Sequence, residues 1–99
     1  RPLRLRYTPT AFAQLQEITA YISARNPYGA VRVHARIKHM IDLIGSFPRI
    51  GTPTDNRVIR RIATPPYPYL VYYELTADEI IIHAVRHAAR DPGGAPGRV

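Results

Sequence analysis

The pattern of apolar and polar residues divides the chain into strands and helices. At the N-terminal end, Leu3, Leu5 and Tyr7 alternate with Arg4 and Arg6. Alternation is typical of a half-exposed β-strand, because successive side chains point to opposite faces. The pattern therefore predicts an N-terminal strand with a basic outer face.

Two helices are predicted to follow this strand. Each begins with a capping residue and a proline, Thr8–Pro9 for the first helix and Asn26–Pro27 for the second. The first helix body is predicted at residues 11–24, and the second helix is predicted to end near Gly45 as its C-cap. The apolar residues at helical spacing are Phe12, Leu15, Ile18 and Ile22 in the first helix, and Ala30, Val33, Ile37, Met40 or Ile41, and Ile44 in the second. Because few residues separate the helices, they are predicted to lie antiparallel and to pack on one face of a sheet.

The C-terminal half carries three further strand patterns. Residues 47–56 are predicted as a loop, and Arg57–Ile62 is predicted as a strand. Tyr67–Leu75 and Glu79–Val85 flank a short polar break, and two apolar runs this close predict a β-hairpin. The order β-α-α-β-β-β predicts an α+β domain, in which a helical hairpin packs on one face of a small, mostly antiparallel sheet.

Length and composition limit the class of protein. Ninety-nine residues suit one domain, predicted at residues 1–92, with a Gly- and Pro-rich tail at residues 93–99 that is expected to be flexible. The chain has no cysteine, which excludes a disulfide framework and thiol chemistry. It has no apolar run of about 18 residues and no hydrophobic signal stretch, so a cytoplasmic protein without a membrane span is expected.

Arginine dominates the charge of the chain. Fourteen Lys and Arg residues face seven Asp and Glu residues, which gives a net charge of +7, and Lys38 is the one base that is not arginine. The planar guanidinium fork suits phosphate and carboxylate groups. This excess predicts a polyanionic or acidic partner, and the alternative is a basic surface without a specific partner.

Several short motifs occur in the order found in the RelE/ParE superfamily of toxins from type II toxin–antitoxin modules. They are Tyr7-Thr-Pro-x-Ala11, Tyr21-Ile22, Asn26-Pro27 with Ala30, Leu43-Ile44, Phe47-Pro48-x-Ile50-Gly51, an arginine in the next strand, Pro68-Tyr69-Leu70-Val71-x-Tyr73 and Val85-x-His87-x-x-Arg90. The resemblance covers residues 3–92, and the last motif is most similar to the ParE-like branch.

This resemblance implies a toxin held inactive by a cognate ParD-like antitoxin with an acidic C-terminal segment, in a hetero-oligomer. ParE-like members are associated with inhibition of DNA gyrase, whereas RelE-like members are ribosome-dependent mRNA endonucleases. A shared fold does not decide between these activities. Gyrase inhibition is the favoured interpretation, mRNA cleavage is the alternative, and a non-toxic interaction module is a third possibility. No cofactor or metal is implied.

The candidate catalytic residues belong to the endonuclease alternative. RelE-like RNA cleavage needs a base, an acid and cations that stabilise the charge on the reacting phosphate. The resemblance offers Arg60, Arg61, His87 and Arg90 for these roles. The alternative role for His87 is a structural one, a hydrogen bond at the end of the sheet.

Other residues are candidates for contact with the target or the antitoxin. They are Arg4, Arg6, Arg57, Arg61, Tyr73, Arg86, His87 and Arg90. The N-terminal strand is one possible edge for strand addition by the antitoxin. The four tyrosines between residues 67 and 73 could stack on nucleic-acid bases, although packing within the sheet is their commoner role.

Overall fold

Two helices pack on one face of a five-stranded sheet in the computed structural model, which describes residues 3–90. The elements are β1 (Arg4–Tyr7), α1 (Pro9–Ser23), α2 (Pro27–Ser46), β2 (Thr52–Pro53), β3 (Ile59–Thr64), β4 (Tyr67–Leu75), β5 (Glu79–His87) and a short 3-10 helix (Ala88–Arg90). The strand order is β1-β5-β4-β3-β2. β1 runs parallel to β5, and the other neighbouring strands are antiparallel, so the predicted α+β architecture is confirmed. The predicted tail at residues 93–99 lies outside the described residues.

The capping residues predicted at both helix starts make the expected hydrogen bonds. Thr8 Oγ1 accepts from the backbone N–H of Ala11 at 3.1 Å, and Asn26 Oδ1 accepts from that of Gly29 at 2.9 Å. Each bond satisfies one of the free N–H groups in a first helical turn. Thr8 also donates its hydroxyl proton to the carbonyl oxygen of His83 at 3.3 Å, which ties the start of α1 to β5.

The buried face of α1 is rotated from the predicted one. Ala11 is completely buried, whereas Phe12 keeps 53% of its surface exposed, so the prediction that Phe12 is a core residue is wrong. Both positions are helical neighbours of Leu15, and the spacing alone fits either of them. The small Ala11 side chain faces the core, where Leu15, Ile18 and Ile22 continue the packed face.

The apolar face of α2 agrees with the prediction, with Ile41 in the core and Met40 at its margin. The end of the helix does not agree. α2 continues to Ser46, and the backbone N–H of Phe47 donates to the carbonyl of Leu43 at 2.8 Å, so Gly45 is not the C-cap. Phe47 precedes Pro48, and the residue before a proline is disfavoured in helical geometry. The proline therefore sets the end of α2.

Strands β4 and β5 form the centre of the sheet and bury residues on both faces. Tyr69, Val71 and Tyr73 of β4 face the helices. Tyr72 and Ala84 pack together on the opposite face. The β4–β5 register shifts at this point, because Tyr72 pairs with Ala84 but Tyr73 pairs with Ile82, which leaves one extra residue, His83, in β5. Such a β-bulge changes the facing of the side chains that follow it.

Three strands differ from the prediction. The loop predicted at residues 47–56 contains β2, whose Thr52 and Pro53 pair with Arg61 and Arg60 of β3. β3 begins two residues later than predicted and continues to Thr64, and β5 continues to His87. These extra residues find ladder partners in neighbouring strands, which local sequence patterns do not reveal. Within residues 3–90, neither helix is long and apolar enough to span a bilayer.

Candidate functional site

The predicted site residues occupy several separate surfaces. Neighbouring residues of a strand point to opposite faces of the sheet, so Arg60 and Arg61 diverge. Arg60 lies on the helix side, with Ile62, and Arg61 lies on the opposite side, with Ile59.

Arg60 serves the loop between α2 and β2. Its Nη1 donates to the carbonyl oxygen of Gly51 at 2.7 Å and to that of Arg49 at 3.3 Å. Charged donors make stronger hydrogen bonds than neutral ones, so this half-buried side chain holds the loop against β3. The arrangement gives Arg60 a structural role.

Arg61 and Arg86 lie on the face of the sheet opposite the helices, on either side of Tyr72. Arg61 is the cross-strand partner of Tyr72, and the guanidinium carbon of Arg86 lies 4.9 Å from the centre of its ring. A cation at this distance is attracted by the aromatic face. On the same face, His83 Nε2 lies 2.9 Å from a carboxylate oxygen of Glu74.

His87 lies on the helix side, at the open end of the β4–β5 hairpin. Its ring meets that of Tyr69 edge to face at 5.3 Å. Its Nδ1 accepts a hydrogen bond from the backbone N–H of Ala89 at 3.1 Å, so the proton of the neutral ring is on Nε2. Next to these two rings lies a cavity of 430 Å³, which is lined by Glu17, Ile18, Tyr21, Tyr69, His87 and Arg90.

The cavity brings the donors Tyr69, His87 and Arg90 together with one carboxylate, that of Glu17. Burial raises the pKa of the Tyr69 phenol, and the charge of the nearby Arg90 partly opposes this shift. Tyr69 is therefore a neutral phenol at neutral pH. Together with His87 Nε2–H and Arg90, it can donate to an acceptor group in the cavity, and the Glu17 carboxylate in the same lining opposes a fully charged anion. The backbone contact at Nδ1 leaves the neutral His87 ring without a free acceptor nitrogen.

The structure does not assemble the predicted catalytic set. His87 and Arg90 share the cavity beside α1, Arg61 lies on the other side of the sheet, and Arg60 binds loop carbonyls. Phosphodiester cleavage needs its acid, base and cations around one phosphate. Within residues 3–90, no group of three or more His, Asp or Glu side chains could hold a metal ion.

The arginines of β1 lie at the predicted sheet edge and have acidic neighbours. Arg4 pairs with Asp78 at 3.4 Å, and Arg6 pairs with Glu79 at 3.1 Å. Surface pairs of this kind contribute at most about 1 kcal/mol and are weakened by salt. A partner's carboxylates can therefore compete for both arginines.

Tyr73 is a core residue, which corrects the prediction of a binding role. Its side chain is completely buried. The hydroxyl donates to the carbonyl oxygen of Pro48 at 2.7 Å and accepts from the backbone N–H of Gly51 at 2.9 Å. Gly51 is required at this contact, because a Cβ there would lie 2.7 Å from Cε1 of Tyr73. Tyr73 therefore anchors the loop that follows α2.

This anchored loop forms a groove that the sequence pattern did not predict. The groove has a volume of 910 Å³ and lies where the β4–β5 turn meets the end of α2. We call it the end groove, and its principal residues are Phe47, Arg49, Ile50, Arg57, Val58 and Arg60. Of the residues in the predicted binding set, only Arg57 lies there. The available signal was two apolar residues, Phe47 and Ile50, inside a polar, proline-rich stretch.

A second apolar surface lies between the two helices. We call this 530 Å³ depression the helix groove, and it is lined by Phe12, Leu15 and Thr19 of α1 and by His34 of α2, among others. Phe12 is the exposed residue that spacing had assigned to the core. The exposed ring of Phe12 gives this depression an apolar wall.

Comparisons with known proteins agree with this fold. The family described as the ParE toxin of the type II toxin–antitoxin system parDE matches residues 5–92. A putative toxin, Y4kP, of Sinorhizobium fredii strain NBRC 101917 / NGR234 is 35% identical over 85 residues, which cover 86% of this chain and 88% of Y4kP.

Two solved structures share the fold at low sequence identity. A chain from the chromosomal ParDE system of P. aeruginosa has a TM-score of 0.76 at 18% identity, over 86% of this chain and 95% of that one. The YoeB dimer of Staphylococcus aureus gives a TM-score of 0.61 at 11% identity, over 87% of this chain and 97% of that one. The match over nearly all of the chain and the identity to Y4kP are what establish the family. The chain belongs to the ParE toxins of type II toxin–antitoxin systems.

Proposed function

We propose that this ParE-family toxin arrests growth by inhibiting DNA gyrase and that a cognate ParD-like antitoxin neutralises it. The observation that carries the proposal is the separation of Arg61 from His87 and Arg90 by the sheet. An endonuclease would need these groups around one phosphate. An inhibitor that acts by binding needs only a complementary surface, and this chain has several.

The antitoxin part of the proposal is supported by charge and by exposed apolar groups. The chain carries a net charge of +7, and the helix groove and end groove both expose aromatic side chains, Phe12 and Phe47. An acidic partner with apolar side chains complements such surfaces. The P. aeruginosa structure that shares the fold is described as a ParDE toxin–antitoxin system. The edge strand β1, with Arg4 and Arg6, offers backbone groups for strand addition.

A supercoiling assay with purified gyrase and the antitoxin-free chain tests the proposed target. The expected result is loss of supercoiling with accumulation of cleaved DNA, and addition of the purified antitoxin should restore supercoiling. His87→Gln keeps a polar side chain at the cavity. The folded fraction of this variant should inhibit gyrase as strongly as the wild type does.

The mRNA endonuclease alternative gives a different result. In that case the wild-type chain leaves gyrase unaffected and cuts mRNA in a translation extract, and the cuts disappear with Arg61→Ala and His87→Gln. This pair of results would make the ribosome, and not gyrase, the target. Expression of the intact, folded chain without growth arrest would contradict both activities. That outcome would favour the non-toxic interaction module.

A further inference from the structure

The end groove combines an apolar floor with an arginine rim. Phe47, Ile50 and Val58 keep 61%, 45% and 56% of their surfaces exposed. Arg49 and Arg57 are exposed beside them, and none of the residues that line the groove is acidic. The three apolar side chains lie together in one groove, and a cluster of exposed apolar groups marks a contact site more often than single ones do. We propose that the end groove binds an acidic segment of the antitoxin that also carries apolar side chains, an inference that rests on the proposed antitoxin partner.

The groove is held in its open shape before any partner arrives. Tyr73 fixes the loop through Pro48 and Gly51, and Arg60 fixes it from the other side through the carbonyl of Gly51. The backbone N–H of Ile50 donates to the carbonyl of Phe47 at 3.0 Å, which closes a tight turn between the two exposed apolar residues. These contacts keep Phe47 and Ile50 from folding inward. A preformed groove avoids part of the entropy cost of binding.

Charge and polarity together select an acidic peptide over other occupants. A second copy of this chain would bring another net charge of +7 to an arginine rim, which is unfavourable. The phosphates of a nucleic-acid duplex would satisfy the arginines but would leave the floor of Phe47, Ile50 and Val58 against polar groups. A peptide that alternates carboxylate and apolar side chains satisfies both parts of the groove.

The position of the groove also fits an extended segment. Leu3, the residue before β1, lines the groove together with Leu75 at the end of β4, so one end of the groove lies beside the start of β1. An extended segment that pairs along β1 beside Arg4 and Arg6 would therefore have one of its ends next to the groove. The helix groove lies between α1 and α2 and is a separate surface. An antitoxin that contacts these separate surfaces at once would bind more tightly than through one surface alone, because the linked contacts form at a high effective concentration.

Isothermal titration calorimetry of the purified antitoxin into the full chain tests the inference. The antitoxin used is the protein encoded beside the gene for this chain. Arg57→Glu reverses one rim charge and Val58→Ser removes apolar surface from the floor, and both side chains are exposed, so both variants should fold. Each is expected to weaken binding about tenfold or more. Arg57→Lys should keep most of the affinity because it keeps the charge.

Lys38→Glu is the matched control, because it makes the same change in charge at an exposed position of α2 outside both grooves. It should change the affinity less than threefold, which is about the effect of a remote charge at moderate salt. Thermal unfolding followed by circular dichroism should show the same midpoint for all four variants and the wild type.

The possible outcomes separate the inference from the proposed function. If the wild type binds the antitoxin and Arg57→Glu and Val58→Ser bind it equally well, the end-groove inference is wrong but the antitoxin remains the partner. No binding of the antitoxin by the wild type would overturn the partner assignment and the inference with it. The two variants could instead keep their affinity for the antitoxin but lose binding to a single-stranded oligonucleotide, or lose self-association. Either result would assign the groove to a nucleic acid or to a second copy of the chain.

Discussion

At the scale of single residues, two tyrosines of the core differ in how their hydroxyl groups are satisfied. Tyr73 donates to Pro48 and accepts from Gly51. The buried hydroxyl of Tyr7 has no hydrogen-bond partner among residues 3–90. A buried polar group contributes to stability only when it is paired, so the same chemical group has opposite effects at these two positions.

Tyr73→Phe removes one hydroxyl and leaves the Gly51 N–H and the Pro48 carbonyl without their partner. The free energy of unfolding is expected to fall by about 1–3 kcal/mol, since both groups lose a hydrogen bond in a buried setting. Urea denaturation measures this change. Tyr28→Phe, at a side chain that is 79% exposed, is the control and should leave stability unaltered. A Tyr73→Phe protein as stable as the wild type would mean that the loop is held without this hydroxyl.

The pH dependence of stability should reveal the environment of Tyr7. Burial, and secondarily the Asp42 carboxylate, raise the pKa of its phenol above 10.0. A raised pKa in the folded state gives a contribution to stability that is full below the unfolded pKa and is lost as the pH rises through the folded pKa. Tyr7→Phe is therefore expected to lessen the loss of unfolding free energy above about pH 10, a range set by the ordinary tyrosine pKa. Equal alkaline losses in Tyr7→Phe and wild type would argue against this interpretation.

At the scale of secondary-structure elements, the side of the helix or strand on which a side chain lies decides its role. α1 turns Ala11 inward and Phe12 outward, although both lie beside Leu15. β3 sends Arg60 towards the loop after α2 and Arg61 to the face opposite the helices. Adjacent residues of one element therefore have different surroundings, one packed within the fold and one exposed at the surface.

The alternation in β3 predicts different effects for two adjacent alanine substitutions. Arg60→Ala removes charge-assisted hydrogen bonds to two loop carbonyls and should lower the free energy of unfolding by about 1–3 kcal/mol. Arg61→Ala changes an exposed side chain and should stay within about 0.5 kcal/mol of the wild type. Denaturant titration of both variants compares them directly. Equal losses of stability would contradict the separation of roles.

At the scale of the whole molecule, the candidate binding surfaces lie on different sides. The end groove and the His87 cavity are at opposite ends of the β4–β5 hairpin, because Leu75 lines the former and Tyr69 the latter. Six residues separate these two along β4, which corresponds to about 20 Å. The helix groove and the face with Arg61 and Arg86 lie on opposite sides of the sheet. This distribution suits a protein that binds an antitoxin and a target through separate surfaces.

The helix groove provides a test of that distribution. Phe12→Ser removes an aromatic ring that is 53% exposed and should lower the free energy of unfolding by no more than about 1–2 kcal/mol. Affinity for the antitoxin is expected to fall about tenfold, as for an aromatic residue at the centre of a contact. Ala13→Ser, exposed on the same helix but outside the groove, is the control. A large loss of stability with unchanged affinity would return Phe12 to the core role that its spacing suggested.

Local patterns in the sequence determined most of the elements. Alternation located β1, an apolar, tyrosine-rich run located β4, and the pairs Thr8–Pro9 and Asn26–Pro27 located both helix starts within a residue. These signals depend on the residue itself and its near neighbours, so they can be read without the fold. Ordered motifs along the chain also indicated the family that the comparisons establish.

Only the tertiary structure decided which candidate residues meet. Arg61 and His87 are both basic and both lie in strands, but the sheet separates them, because side-chain facing depends on register and on the β-bulge at His83. Tyr73 carries the same side chain as its exposed counterparts, yet it is buried against a loop more than twenty residues away in sequence. The end groove likewise forms from four segments that are distant in the chain. Such contacts join residues far apart in sequence, so the local pattern determined the elements, and their packing determined the surfaces.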